Sequence, residues 1–176
     1  MATLYTIGHS TRTLDELIEA LRAHQIAMLV DIRAFPASRR LPYFNRETLE
    51  QSLPASSIGY VWMKALGGYR KKTLDESPNI ALRNQSFRNY ADYMLTPEFE
   101  QAATELIALA KSSRTTYMCA ERMYFQCHRM LVSDWLVAHG HEVLHIDGNG
   151  PVRPHRLMAE GRIVDGRLIY RGDRLL

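Results

Sequence analysis

The sequence lacks the features that would place it in several large classes of protein. Only two of its 176 residues are cysteine, which excludes a disulfide-stabilised scaffold. It has no apolar run near the roughly 20 residues that a membrane-spanning helix needs. Its first residues, Met-Ala-Thr-Leu-Tyr-Thr-Ile, lack the basic region that begins a secretory signal. We therefore expect a cytoplasmic protein with no membrane partner, whose cysteines stay as thiols.

Motifs that bind common cofactors or metals are also missing. The chain has no Gly-x-Gly-x-x-Gly sequence, no phosphate-binding loop and no nucleophile elbow, so no cofactor is predicted. Seven residues separate Cys119 from Cys127, whereas zinc-binding cysteines are commonly about two to four residues apart. A metal site made of these cysteines, His128 and His9 is therefore a minor alternative, and none is predicted. A redox pair stays open, although the C-x-x-C motif is absent.

Charge of either sign is modest overall but unevenly distributed. The 22 Lys and Arg exceed the 19 Asp and Glu by only three, too few to indicate a nucleic-acid-binding protein. Between Arg33 and Arg88, however, ten Lys and Arg face four acids, which favours an anionic ligand or partner. A solvated surface is the alternative. Aromatic residues interleave with these basic residues, a pattern that can stack nucleic-acid bases but is more common in cores: Tyr60, Trp62, Tyr69, Tyr90 and Tyr93.

The sequence does contain an alternation of strand and helix patterns. Apolar strand patterns occur at residues 4–7, 27–32, 58–63, 115–119 and 142–146. Helical patterns separate them, with predicted N-caps at Thr13, Ser86 and Thr96, and residues 163–168 predict a hairpin with a type I′ turn. We therefore predict an α/β fold in a single domain of residues 1–176. It is a three-layer sandwich with a mostly parallel sheet of about five strands, helices on both faces and a small C-terminal hairpin.

Ligands of such sheets bind beyond the carboxyl ends of the strands, so polar residues there are candidate site residues. The segment from Cys119 to Arg129 is the most informative, because it joins a strand-end cysteine to a histidine and an arginine at a helix N-terminus. Such a helix end can bind an anion and lower the pKa of a thiol. Candidate catalytic residues are Cys119, Glu121, Cys127 and His128. Either cysteine could attack an electrophile, while Glu121 or His128 moves protons.

Candidate anion- or substrate-binding residues follow several strands: His9, Ser10, Asp31, Arg33, Arg39, Arg70 and Arg129. Asp31 interrupts an apolar strand, and a buried carboxylate needs a partner, for which Arg33, Arg39 or Arg129 is suitable. Structural alternatives stay open for all these candidates. The cysteines can serve as small buried hydrophobes, and Arg129 can form an ion pair with Asp31 or Glu121. The histidines and Ser10 can cap helices.

Taken in order along the chain, several motifs resemble the domain of unknown function 488 family. They are Thr6-Ile7-Gly8-His9-Ser10, Leu29-Val30-Asp31-Ile32-Arg33, Phe44-Asn45-Arg46, Leu66-Gly67-Gly68, Phe87-Arg88, Met118-Cys119-Ala120-Glu121, Cys127-His128-Arg129 and His155-Arg156. This resemblance covers nearly the whole chain and implies one α/β domain without fixing an activity, although some relatives carry a DNA-repair label. The chain departs from the family at Tyr124, where relatives usually have proline, so we expect a less rigid loop between the cysteines.

The chain also has a weaker similarity to rhodaneses and cysteine phosphatases, in which an Asp-x-Arg strand end precedes a strand–cysteine–loop–helix unit. Their loop from cysteine to arginine is shorter, and five intervening residues after Cys119 lead to Phe125. Their chemistry is therefore not predicted here, because a likeness of fold does not transfer function.

These observations favour an enzyme or binding protein that acts on an anionic ligand, either phosphate-bearing or a nucleotide or nucleic acid. If the protein is an enzyme, we expect it to depend on cysteine. Two alternatives are a nucleic-acid-associated protein of the DNA-repair kind and a non-catalytic sensor of a nucleotide or other anion. The sequence predicts no oligomeric state.

Overall fold

The computed structural model describes residues 1–172, so the last four residues of the predicted domain lie outside the described residues. The strands within that range are β1 Thr3–Gly8, β2 Met28–Asp31, β3 Gly59–Trp62, β4 Thr115–Cys119, β5 Glu142–His145, β6 Arg153–Pro154, β7 Gly161–Val164 and β8 Arg167–Tyr170. The α-helices are α1 Leu14–Ala23, α2 Arg46–Ala55, α3 Gln85–Tyr93, α4 Pro97–Ser112 and α5 Arg129–Ala138. Short 3₁₀ turns span Pro42–Phe44, Lys64–Leu66 and Tyr124–Gln126.

One mixed sheet has the strand order β3-β2-β4-β1-β5-β6. Its first five members pair in parallel, and β6 pairs antiparallel to β5 at the edge. The predicted α/β fold with a mostly parallel sheet is therefore confirmed, with one strand more than expected. A two-residue strand such as β6 has no periodicity that a sequence could reveal. The predicted hairpin is also confirmed as β7–β8, and Asp165 and Gly166 have the positive φ angles, 50° and 77°, that a type I′ turn requires.

Helices cover both faces of the sheet. Buried side chains of α1 and α2, including Leu17 and Leu49, share one apolar cluster with Met118 of β4. Those of α3, α4 and α5 share the other cluster with Tyr117 and Cys119. Successive residues of a strand point to opposite faces, so the side chain of Cys119 lies on the α3–α5 face. No helix within residues 1–172 is long and apolar enough to cross a membrane.

Helix starts follow the predicted caps with one exception. The hydroxyl of Thr13 accepts from the Glu16 backbone at 3.1 Å, and the Glu16 carboxylate accepts from the Thr13 backbone at 2.9 Å, as a capping box requires. The cap predicted at Ser86 is wrong, because Asn84 caps α3 by accepting from the Phe87 backbone at 3.1 Å. Asparagine is as good a cap as serine, and it comes two residues earlier in the chain.

The sheet brings the ends of its central strands to one edge. Gly8 lies opposite Cys119 in the β1–β4 register, and Asp31 lies opposite Met118 in the β2–β4 register. The segments that follow these strands therefore meet beyond the same edge, where parallel sheets bind their ligands.

Candidate functional site

The two cysteines lie in contact at this edge. Cys119 ends β4, and Cys127 follows the 3₁₀ turn Tyr124–Gln126 and precedes α5. Their sulfur atoms are 2.7 Å apart, and both thiols are free. Cys119 is 2% exposed and Cys127 is 9% exposed. Because seven residues separate them in the chain, the loop from β4 to α5 must double back to make this contact.

Arg129 lies beneath the two sulfurs and is only 1% exposed. Its Nε donates to Cys119 Sγ at 3.0 Å and to Cys127 Sγ at 3.3 Å. Its Nη1 donates to the Thr6 hydroxyl at 3.1 Å, and its Nη2 donates to the carbonyls of Glu121 and Arg122 at 2.6 and 3.0 Å. Every side of the guanidinium therefore has an acceptor, although none of these acceptors is a carboxylate.

The salt bridges formed within residues 1–172 do not include Arg129. The ion pairs considered for it with Asp31 and Glu121 are therefore not formed. Glu121 contributes its backbone carbonyl, while its side chain is exposed. A buried guanidinium needs a counter-charge, and the groups in contact with Arg129 that can supply one are the two thiols.

The electrostatics of the pair favour one thiolate and one thiol. Burial raises the pKa of Cys127, but the hydrogen bond from Cys119 and the charge of Arg129 outweigh it and bring that pKa to about 7. Burial and the hydrogen bond to Cys127 raise the pKa of Cys119 well above its ordinary value. A thiolate at Cys127 also lies at the N-terminus of α5, where the helix dipole favours negative charge.

A second cluster lies beside the first, on the α1–α2 side of the sheet edge. Arg33 binds the Asp31 carboxylate with two hydrogen bonds, at 2.9 and 2.7 Å, and Tyr60 donates to the same carboxylate at 2.6 Å. Arg33 also donates to His9 Nε2 at 3.3 Å, so His9 is neutral and its Nδ1 donates to the Ser10 carbonyl at 2.9 Å. Burial lowers the pKa of His9 to about 4. Asp31 therefore forms its ion pair with Arg33, which is one of the three arginines that the sequence offered as a partner.

His128 joins the start of α5 to the end of β2. Its Nε2 donates to the Ile32 carbonyl at 2.8 Å, and its ring packs against Tyr90 with centroids 5.1 Å apart. Burial lowers the pKa of His128 to about 4, so the imidazole is neutral near pH 7. Within residues 1–172, no three side chains of the metal-binding types form a cluster that could hold a metal ion.

Six predicted site residues do not line the same cavity as the cysteines: His9, Ser10, Asp31, Arg39, Arg70 and Arg129. Arg70 donates to the carbonyls of its own loop, at Lys64, Ala65 and Gly67, and its guanidinium lies 3.7 Å from the Tyr93 ring centroid. Arg39 is exposed on the loop after β2. Ser10 is held by its backbone, which donates to the Ala120 carbonyl at 2.9 Å.

A cleft of about 290 Å³ opens onto the cysteine pair. Its polar lining includes Arg33, Glu121 and His128 beside the two cysteines. Its aromatic lining comprises Phe35, Tyr69, Phe87 and Tyr90. Phe35 and Tyr69 are 71% and 89% exposed and their ring centroids are 5.9 Å apart, so they form an aromatic rim. The cleft is large enough for a small molecule.

A buried polar network, which is not among the predicted site residues, lies behind Arg129. Thr6, which accepts from Arg129, is 2.8 Å from His145 Nδ1, and His145 Nε2 is 2.8 Å from His155 Nδ1. His155 Nε2 is 2.7 Å from Asp134, which also accepts from the Tyr170 hydroxyl at 2.9 Å. We call these residues the histidine network: Thr6, His145, His155, Asp134 and Tyr170. The local sequence signal for the histidine network was Asp134, an acidic residue inside the apolar pattern of α5.

Tyr124, which lies in the loop between the two cysteines, packs on the histidine network. Its ring stacks on His145 with centroids 3.8 Å apart and planes 5° from parallel. Burial lowers the pKa of His145 to about 3, so this ring is neutral. The stacking fixes the start of the 3₁₀ turn that leads to Cys127.

Comparison with known proteins gives one finding about the family. The family model described as domain of unknown function DUF488 matches residues 13–136. That range contains the cysteine pair and Arg129, and it leaves out Thr6, His145 and His155. No curated protein and no solved structure matches the chain.

Proposed function

The chain belongs to the DUF488 family, and we propose that it is a cysteine-dependent enzyme whose nucleophile is the Cys127 thiolate. One observation carries this proposal. The buried guanidinium of Arg129 donates to both cysteine sulfurs and forms no salt bridge with any carboxylate of residues 1–172. A thiolate is the nucleophilic form of cysteine, and a buried cation in direct contact stabilises it. The substrate is a small molecule with an electrophilic group, bound in the cleft.

Cys127 is favoured over Cys119 as the ionised sulfur for three reasons. It lies at the start of α5, it is the more exposed of the two, and its pKa is lowered to about 7. Cys119 then donates its S–H to the thiolate across the 2.7 Å contact. Glu121 supplies the carboxylate among the residues lining the cleft, so it is the group proposed to move a proton.

An anionic substrate remains a prediction of the sequence. Arg33 supplies the guanidinium that lines the cleft, and its N–H groups already bind Asp31, His9 and the Phe44 carbonyl. We therefore assign the reactivity to the Cys127 nucleophile and assign Arg33 no ion pair with the substrate.

Alkylation with iodoacetamide at a series of pH values tests the proposal. We expect the wild-type protein to be modified at Cys127, with a rate that rises through an apparent pKa of about 7. The Cys127→Ser variant is expected to lose this reaction, and peptide mapping identifies the modified residue. Modification only above about pH 8.5, the ordinary thiol range, would overturn the proposal.

The aromatic rim favours a second candidate function, the binding of single-stranded nucleic acid. Phe35 and Tyr69 expose their rings beside the cleft, and the exposed basic residues Arg39, Arg40, Lys71 and Lys72 are close to them in the sequence. Aromatic faces stack on bases while neighbouring cations bind phosphates. A protein of this kind would hold a base over the cleft.

Fluorescence anisotropy with labelled single-stranded DNA checks this candidate. Tyr69→Ala is expected to weaken binding by about 1–3 kcal/mol, the loss of one stacked base. The control is Phe125→Ala, because Phe125 is also exposed, at 49%, but lies outside the cleft lining. Binding by the wild-type protein should weaken steeply with salt. Absence of binding at low salt would eliminate nucleic acid as a partner.

A further inference from the structure

We infer that the cysteine pair is a two-electron redox centre that reduces small hydroperoxides and is regenerated by a dithiol. This inference deepens the proposed function, since it rests on the Cys127 thiolate and names its substrate class. Cys127 supplies the attacking sulfur, and Cys119 supplies the thiol that resolves the oxidised intermediate.

The geometry of the pair is suited to forming a disulfide. The two sulfurs are 2.7 Å apart, and a disulfide bond is about 2.05 Å long, so only a small movement closes the bond. The chain has no other cysteine, so the partner of each sulfur within one molecule is fixed. A general nucleophile needs one cysteine, and a second thiol in contact with it supplies the resolving group of a redox cycle.

The surroundings of the pair favour a small substrate. Both sulfurs line the cleft, yet Cys119 is only 2% exposed and Cys127 only 9% exposed. The group that reacts with them must therefore be narrow. The oxygen–oxygen bond of a hydroperoxide meets this requirement. The Arg129 Nε–H donates to both sulfurs, so it can stabilise a thiolate first at Cys127 and then at Cys119 as the reaction proceeds.

The proposed cycle balances in three steps. The Cys127 thiolate attacks the outer oxygen of the hydroperoxide, the O–O bond breaks, and Cys127 sulfenic acid and an alkoxide, or hydroxide for hydrogen peroxide, are formed. The leaving oxyanion takes the proton of Cys119. The Cys119 thiolate then attacks the Cys127 sulfur, which forms the disulfide and releases hydroxide. The sulfurs have lost two electrons and the peroxide has gained them.

Arg129 also favours the return step. Oxidation removes the thiolate and leaves the buried guanidinium without its counter-charge, whereas reduction restores it. A couple whose reduced form is stabilised in this way has a disulfide that is easily reduced. An external dithiol can therefore complete the cycle by thiol–disulfide exchange, becoming a disulfide itself.

The test treats the full-length reduced protein with one equivalent of hydrogen peroxide and measures free thiols and mass. We expect the wild-type protein to lose both thiols, to lose two hydrogens in mass, and to regain both thiols with dithiothreitol. Cys119→Ser is expected to stop at a sulfenic acid on Cys127 that dimedone traps, and Cys119→Ala provides a second variant should the first not fold. Cys127→Ser is expected to keep its remaining thiol.

The outcomes separate this inference from the proposed function. If peroxide leaves both thiols intact while iodoacetamide still modifies Cys127 near neutral pH, the redox inference is overturned and the nucleophile stands. If neither reagent reacts near neutral pH, both are overturned. Disulfide formation that proceeds equally well through a sulfenic acid on Cys119 would overturn the assigned order of the two cysteines.

Discussion

Arg129→Met is expected to raise the pKa of Cys127 above its value of about 7 and to destabilise the fold. Methionine fills similar space but donates no hydrogen bond. Burial then acts on the Cys127 thiol without the opposing charge of the guanidinium, and the hydrogen bond from Cys119 is left to oppose it, so a larger fraction of the thiol is protonated near pH 7. The carbonyls of Glu121 and Arg122 also lose their donor. Buried acceptors without partners and a broken buried charge pair together predict a loss of about 3 kcal/mol or more.

The pH dependence of stability provides a second measurement on the same variant. The pKa of Cys127 is lower in the folded protein than that of an ordinary thiol, so ionisation stabilises the fold at high pH. This contribution is fully present above the unfolded thiol's pKa and is lost as the pH falls through about 7. Urea unfolding should therefore show that the difference between wild type and Arg129→Met shrinks as the pH is lowered through that value.

Arg33→Met is the matched control. Arg33 is also a buried guanidinium, at 7% exposure, but its partner is the Asp31 carboxylate. Its loss leaves a buried carboxylate unpaired and should be similarly destabilising. The rate of Cys127 alkylation should nevertheless keep its apparent pKa, because Arg33 does not contact the sulfurs. If Arg129→Met keeps a Cys127 pKa near neutrality, the counter-charge assigned to Arg129 is wrong.

The fold was largely predictable because its signals are local. Thr13 and Glu16 form their capping box within four residues, and the hairpin turn depends on Asp165 and Gly166 alone. Apolar runs separated by amphipathic helices predict a parallel sheet with two covered faces, because a helix that connects two parallel strands packs on the sheet. The short edge strand β6 was missed, because pairing of Arg153 with His145 leaves no pattern in either segment.

The candidate site was predictable only as a position at the edge of the sheet. The sequence predicts that Asp31 and Cys119 lie together at this edge. In the β2–β4 register, however, Asp31 lies opposite Met118, the residue before Cys119. The pleat therefore turns the two side chains to opposite faces and divides the expected cluster in two. The contact between Cys119 and Cys127 depends on how the loop between them turns back, and the histidine network joins residues as far apart in the chain as Thr6 and His145. Periodicity reports neither.

Gly8→Ala is expected to be the most disruptive substitution of a single methyl group. A Cβ at Gly8 would overlap the Glu121 carbonyl oxygen and lie 2.6 Å from its carbonyl carbon and 2.8 Å from the Arg122 Cα. All three atoms belong to the backbone, so no side chain can rotate away. Overpacking of this kind predicts a loss of about 3 kcal/mol or more in the free energy of unfolding.

The clash at Gly8 should also displace Arg129 and so change the reactivity of the cysteine sulfurs. The Glu121 carbonyl that must move is the acceptor of Arg129 Nη2 at 2.6 Å, and Arg129 Nε donates to both cysteines. Gly59→Ala is the control, because its new Cβ would meet the flexible end of Met28 at 2.7 Å. Urea unfolding should separate the two variants, and alkylation of Cys127 should slow near pH 7 only in Gly8→Ala. Equal stability and equal alkylation in both variants would show that β1 does not hold the loop that positions Arg129.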